Sequence, residues 1–96
     1  MYTIFVVQKT LEGHREAFIK ALYDAGVVDA VRAEEGCIRY DYYFSEKDKN
    51  EILLIEAWET QEHQKIHLNQ PHMDTLRAIK AQHVIESKLG EFELKV

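Results

Sequence analysis

The segment from Glu56 to His72 gathers a carboxylate, an indole and three imidazoles: Glu56, Trp58, His63, His67 and His72. Glu56 and Trp58 are two residues apart, so on a strand they share one face, where a carboxylate in an otherwise apolar row needs a partner or a task. His63 and His67 are four apart and project from nearly the same side of a helix. His67 and His72 bracket Pro71, where one helix can end and another begin, so both rings can turn into the space above a sheet. An imidazole titrates near neutral pH and is suited to taking a proton from a bound hydroxyl. Trp58 offers a flat face for an aromatic ring and Tyr40 a hydroxyl for a substrate oxygen, with Ile38 and Leu54 as aliphatic strand neighbours.

Each of these residues also has a purely structural reading. Glu56 could form an ion pair at a strand end, Trp58 could be the largest core residue, Tyr40 an aromatic of the sheet, and His72 a cap on backbone groups near Pro71. A metal site is disfavoured: His63, His67, His72 and His83 are available, yet no HExxH or cysteine pair accompanies them. Cys37 is the only cysteine, so no internal disulfide can form, and a reducing compartment fits.

A chain of 96 residues holds one domain, spanning 1–96, and a domain so small gains core by pairing with a second copy. The net charge of −5 argues against a nucleic-acid partner, which needs clustered Lys and Arg. The run Tyr2-Thr3-Ile4-Phe5-Val6-Val7 has no basic flank and no cleavage site, and no stretch approaches the ~20 apolar residues of a membrane span. A soluble cytoplasmic protein with no membrane partner is expected.

The elements that must position these residues can be read from periodicity and punctuation. Tyr2 to Lys9 is predicted as a first strand buried on both faces. From His14 to about Glu34, Phe18, Leu22, Ala25 and Val28 recur on one helical face; Gly26 is placed to kink or divide the helix and Glu35-Gly36 to close it. Cys37–Phe44 and Glu51–Glu59 are predicted as a hairpin across a wholly polar link. Thr60 should cap a short helix, Pro71 should open another running to about Ala81, and Val84–Val96 should form a last strand, bent at Gly90.

The order β-α-β-β-α-β is that of a ferredoxin-like α+β fold with an antiparallel sheet. Its helices cover one face of the sheet. On the third strand Ile52, Leu54, Glu56 and Trp58 form one phase and Leu53, Ile55 and Ala57 the other, and both are largely apolar. A second sheet closing over the first is therefore expected, which makes a homodimer. On the second strand strict alternation puts Ile38, Tyr40 and Tyr42 on one face and Arg39, Asp41 and Tyr43 on the other.

The string Glu34-Glu35-Gly36-Cys37-Ile38-Arg39-Tyr40-Asp41, then Glu56-Ala57-Trp58, then His67-Leu68-Asn69-Gln70-Pro71-His72-Met73, resembles the antibiotic biosynthesis monooxygenase family in order and interval over almost the whole chain. The resemblance implies a dimeric α/β barrel with a pocket between helices and sheet in each subunit. It also implies a choice of reactions: oxidation of quinols or phenols by O₂ without a cofactor, isomerisation of a phosphorylated autoinducer-2 derivative, or haem degradation. The haem branch uses an Asn, a Trp and a His at positions that align here with Val6, His67 and Arg77, so that branch does not fit.

The leading expectation is thus a cofactor-independent monooxygenase acting on a small quinol or phenolic compound. His67 or His72 would be the base, with Glu56 orienting an imidazole or holding a substrate hydroxyl, and Trp58, Tyr40, Ile38 and Leu54 would line the substrate pocket. No metal is expected. The rival readings are an isomerase of a small phosphorylated ketone, with Arg39, Lys65 or Arg77 on the phosphate, and a non-catalytic dimeric ligand-binding domain.

Overall fold

The computed structural model describes residues 1–95 and threads them as β1 (Tyr2–Thr10), α1 (Arg15–Asp24), α2 (Val27–Arg32), β2 (Cys37–Phe44), β3 (Glu51–Trp58), α3 (Gln61–His67), α4 (Pro71–His83) and β4 (Val84–Phe92). Each helical half is split in two. Gly26, at a φ of 73°, breaks the first, a left-handed conformation that costs glycine nothing. Pro71 starts α4 at a position where its missing N–H would have had no helical partner. The Thr60 hydroxyl accepts from the His63 amide and caps α3.

The four strands form one antiparallel sheet in the order β2-β3-β1-β4, the ferredoxin-like arrangement. β1 lies at its centre and alternates: Ile4, Val6, Gln8 and Thr10 are buried beneath the helices, whereas Phe5 and Val7 on the opposite face are half-buried. The expectation of a strand buried on both faces is thereby corrected for the single chain. β3 repeats the pattern, with Ile52, Leu54 and Glu56 under the helices and Leu53 and Ile55 half-exposed behind. Phe18, Leu22, Val28 and Val31 pack onto the covered face with Ile52 and Trp58, giving the hydrophobic core.

Two local features depart from the simple pattern. Pairing runs Cys37 with Trp58, then Arg39 with Ala57, so Ile38 is the extra residue of a bulge. Tyr40 and Tyr42 face the helices opposite Glu56 and Leu54, and Ile38, at the bulge, is 53% exposed. At the other sheet edge β4 ends at Phe92 rather than running on, and the last residue of the strand expected there, Val96, lies outside the described residues. Arg15 ties the β2–β3 connection to α1, its guanidinium donating to the carbonyls of Ser45 and Asp48 at 2.9 and 3.0 Å. No helix among the described residues is long and apolar enough to cross a membrane.

Candidate active site

The turn after α2 carries Glu34, and it brings this carboxylate against the two histidines that flank Pro71. His67, the last residue of α3, places Nδ1 2.7 Å from Glu34 Oε2, and His72, in the first turn of α4, places Nε2 2.8 Å from the same oxygen. An ionised carboxylate can only accept, so both of these ring nitrogens carry the proton. That assignment fixes the tautomer of a neutral His67: its Nε2 is left with a free lone pair.

The Nε2 edge of His67 faces Glu56, whose Oε1 is 3.9 Å away. This is too long for a hydrogen bond, yet a hydroxyl oxygen could sit about 2.8 Å from both atoms at once. Glu56 Oε1 already accepts from Trp58 Nε1 at 3.0 Å, because residues two apart on β3 share a face. Burial is the main influence on this carboxyl and raises its pKa above the ordinary 4.5, against the Trp58 hydrogen bond and the nearby His67, which lower it.

Aromatic rings fix the imidazole in place. The Trp58 ring lies beneath it with centroids 4.7 Å apart, and the Tyr40 ring meets it edge-on at 5.9 Å. His67 is 1% exposed, so packing and the Glu34 contact together fix the direction of its unshared edge. Tyr40 pairs with Glu56 across the β2–β3 ladder, and its hydroxyl lies 3.4 Å from that of Tyr42. Burial pushes both phenols well above their usual range and keeps them neutral.

That unshared edge opens on a cavity of about 180 Å³ between the sheet and helices α3 and α4. Val6, Leu54 and Met73 supply apolar wall; Tyr40, Tyr42 and Glu56 supply polar groups near His67. At the far end stand Gln8, Lys80 and Ser87. The Lys80 ammonium donates to Ser87 Oγ at 3.1 Å, and its half-buried position lowers its pKa while Glu56 opposes that shift.

Of the residues singled out in the sequence, the fold brings His67, Glu56, Tyr40 and Leu54 to the cavity wall. Trp58 does not line it; fully buried, it stands behind His67 and Glu56 and positions both. His72 touches Glu34 and opens on a separate surface depression with Glu35 and His63. Ile38, at the bulge, borders a different surface hollow with Arg39 and Asp41. In the sequence Glu34 shows only as a helix-end residue and the first of the Glu34–Asp41 string, and neither Gln8 nor Lys80 stands out. The ligand-capable atoms of Glu34, His67 and His72 lie within 4.8 Å of one another, so a divalent ion could bridge them only by displacing the two hydrogen bonds.

Residues 1–79 match the sequence family described as antibiotic biosynthesis monooxygenase. No curated protein matches the chain. Among solved structures, a protein from Nitrosomonas europaea described by that family name is 26% identical, with 97% of each chain covered and a TM-score of 0.84. A Bacteroides thetaiotaomicron protein of unknown function is 27% identical over 97% of this chain and 96% of its own, with a TM-score of 0.82. A Pseudomonas aeruginosa protein, 23% identical over 99% of this chain and 94% of its own, shares the fold with a TM-score of 0.83.

Proposed function

The chain belongs to the antibiotic biosynthesis monooxygenase family, and on that premise we propose that it oxidises a small quinol or phenolic compound with O₂, using no cofactor. The observation that carries this reading is the Glu34–His67 hydrogen bond, which aims a basic nitrogen into a small, largely apolar chamber.

A bound phenol would place its hydroxyl between His67 Nε2 and Glu56. His67 takes the proton, and Glu34 stabilises the imidazolium that forms, as a carboxylate behind a catalytic imidazole does in other enzymes. The resulting phenolate is electron-rich enough to reduce O₂ itself. For a hydroquinone the balance closes without another reductant: one oxygen atom enters the ring to give a hydroxyquinone, and the other leaves as water. The protein then supplies a base, orientation and exclusion of bulk water. In this scheme His67 is the catalytic residue. Glu34 and Trp58 are positioning residues, and His72 shares the charge on Glu34.

A second copy of the chain belongs to the same reading. Phe5, Val7, Leu53 and Ile55 form an apolar row on the sheet face that the helices leave uncovered, a surface suited to the matching face of a twin. The cytoplasm is the compartment of this proposal, since there the lone Cys37 thiol stays reduced.

The test is to incubate metal-free protein with a panel of reduced quinones while following oxygen uptake and product mass together. The reading expects uptake coupled to a product heavier by one oxygen atom than the parent quinone. Conversion that proceeds without oxygen would overturn it in favour of an isomerase.

A further inference from the structure

Two imidazoles meet one carboxylate oxygen, and the proposed proton transfer uses only one of them. His67 Nδ1 and His72 Nε2 reach Glu34 Oε2 from separate helices, and the ligand atoms of the three residues all lie within 4.8 Å of one another. Two ring nitrogens and a carboxylate oxygen are the protein ligands of zinc sites that keep a fourth position for water. Around a tetrahedral ion with bonds of about 2.1 Å, such atoms stand about 3.4 Å apart. Oε2 now lies 2.7 and 2.8 Å from the nitrogens, so the carboxylate has to draw back by only about 0.6 Å. Glu34 sits in the turn between α2 and β2, where its side chain borders open space.

The surroundings suit a cation on both sides of the cluster. Glu34 and His72 line a surface depression with Glu35 and His63, and the His72 side chain is 22% exposed, so an ion and its water can enter there. Among the described residues that lining holds two carboxylates and no lysine or arginine, which favours positive charge. His67 closes the inner end. Behind it Glu56 Oε1 stands 3.9 Å from Nε2, held by the Trp58 indole N–H at 3.0 Å. A metal-bound histidine commonly donates its other ring N–H to a carboxylate, and Glu56 is placed to receive it.

We propose that Glu34, His67 and His72 form a site for a divalent transition ion of the zinc class, and that filling it disables the base. An ion on Nδ1 takes the position of the proton that Glu34 otherwise accepts, so the proton of a neutral His67 moves to Nε2 and points at Glu56. The nitrogen that faced the chamber then has no lone pair for a phenol proton. His72 likewise carries its proton on the other ring nitrogen, and only coordination bonds form. The metal-free chain is the active form, and the ion acts as a brake on it. Disabling the base rests on the reading of His67 as that base, whereas the ion site stands on the cluster's geometry alone.

Calorimetric titration of the metal-free full chain with Zn²⁺ reads the site without turnover. One ion per chain is expected, with a Kd of about 1 μM or lower. His72→Ala should weaken binding by about 100-fold or more, since losing even an outer-shell partner costs about 10–100-fold. Glu34→Gln should do the same, and His72→Ala, at a partly exposed position, carries the test alone if Glu34→Gln does not fold. His63→Ala, in the same depression but outside the cluster, should leave the affinity unchanged. With a quinol that the chain oxidises, saturating Zn²⁺ should stop oxygen uptake and a chelator restore it, while the same Zn²⁺ leaves the zinc-free rate of His72→Ala in place. No saturable binding, or binding that His63→Ala removes and His72→Ala does not, would overturn the site. Uptake that continues with the site filled would overturn the disabling of the base. Zinc binding lost in His72→Ala, in a chain that consumes no oxygen with any quinol, would support the site and contradict the oxidation reading.

Discussion

Glu34 Oε2 holds His67 Nδ1 at 2.7 Å across 33 residues of sequence, and both side chains are nearly sealed from solvent. The contact determines which imidazole nitrogen is protonated and which direction the other one faces. Substituting Glu34 by Gln keeps the shape but allows the amide to donate, which can reverse the tautomer. Glu34→Gln is expected to lower kcat for quinol-dependent oxygen uptake by about 10²-fold or more with little change in KM. An equal loss through KM alone would point to ligand binding instead.

Gly36 lies in the turn that delivers Glu34, at a φ of 82°, and a Cβ there would come within 2.4 Å of the His63 ring. Gly36→Ala therefore combines a strained backbone with a steric clash, and a loss of about 2 kcal/mol or more is expected by urea unfolding. Pairing it with His63→Ala should recover only the ring's share of the clash, because the Cβ at position 63 stays 2.8 Å from the added carbon, and the backbone part remains. The same destabilisation in both backgrounds would show that the imidazole ring contributes nothing to the clash.

Glu56 provides a pH signature. Its pKa is raised in the folded protein, so the unfolded chain releases this proton at a lower pH than the folded one does. The folded form consequently loses stability relative to the unfolded as pH climbs from the ordinary carboxyl value of 4.5 through the raised folded value. Glu56→Gln removes that titration. The stability of the variant relative to wild type should rise across this window and level off above it, as followed by denaturant unfolding at pH 4 to 7. A difference independent of pH would contradict the burial argument.

The uncovered sheet face provides a test of assembly. Leu53 and Ile55 lie side by side in phase on β3, half-buried and away from the helices. Placing a charge there, as in Leu53→Lys, should leave the monomer fold intact and reduce the mass found by sedimentation from two chains to one. A wild-type protein that already sediments as one chain would remove the second copy from the account.

Much of the fold was legible because its punctuation is local. Gly26, Thr60 and Pro71 act within a turn of where they stand, and each marks the boundary expected of it. The bulge at Ile38 was not legible, since alternation alone cannot reveal an extra residue, and the exposure of Ile38 there was not foreseen. For the site, the cluster from Glu56 to His72 could be found from residue types and spacing, but its organising partner could not. Glu34 meets His67 only through the tertiary fold, and in sequence it reads as one acidic residue beside another at a helix end. Gln8 follows Ile4 and Val6 in phase, which signals burial, but nothing local shows that its amide oxygen would lack a partner.

The central claim, that His67 rather than His72 is the base, is tested by comparing oxygen uptake of the His67→Ala and His72→Ala proteins on one hydroquinone at saturating concentration. His67→Ala should lose about 10²-fold to 10⁴-fold in rate, as removal of a positioned general base does, while His72→Ala keeps activity within about tenfold of wild type. A His67→Ala protein that consumes oxygen at the wild-type rate would contradict the account.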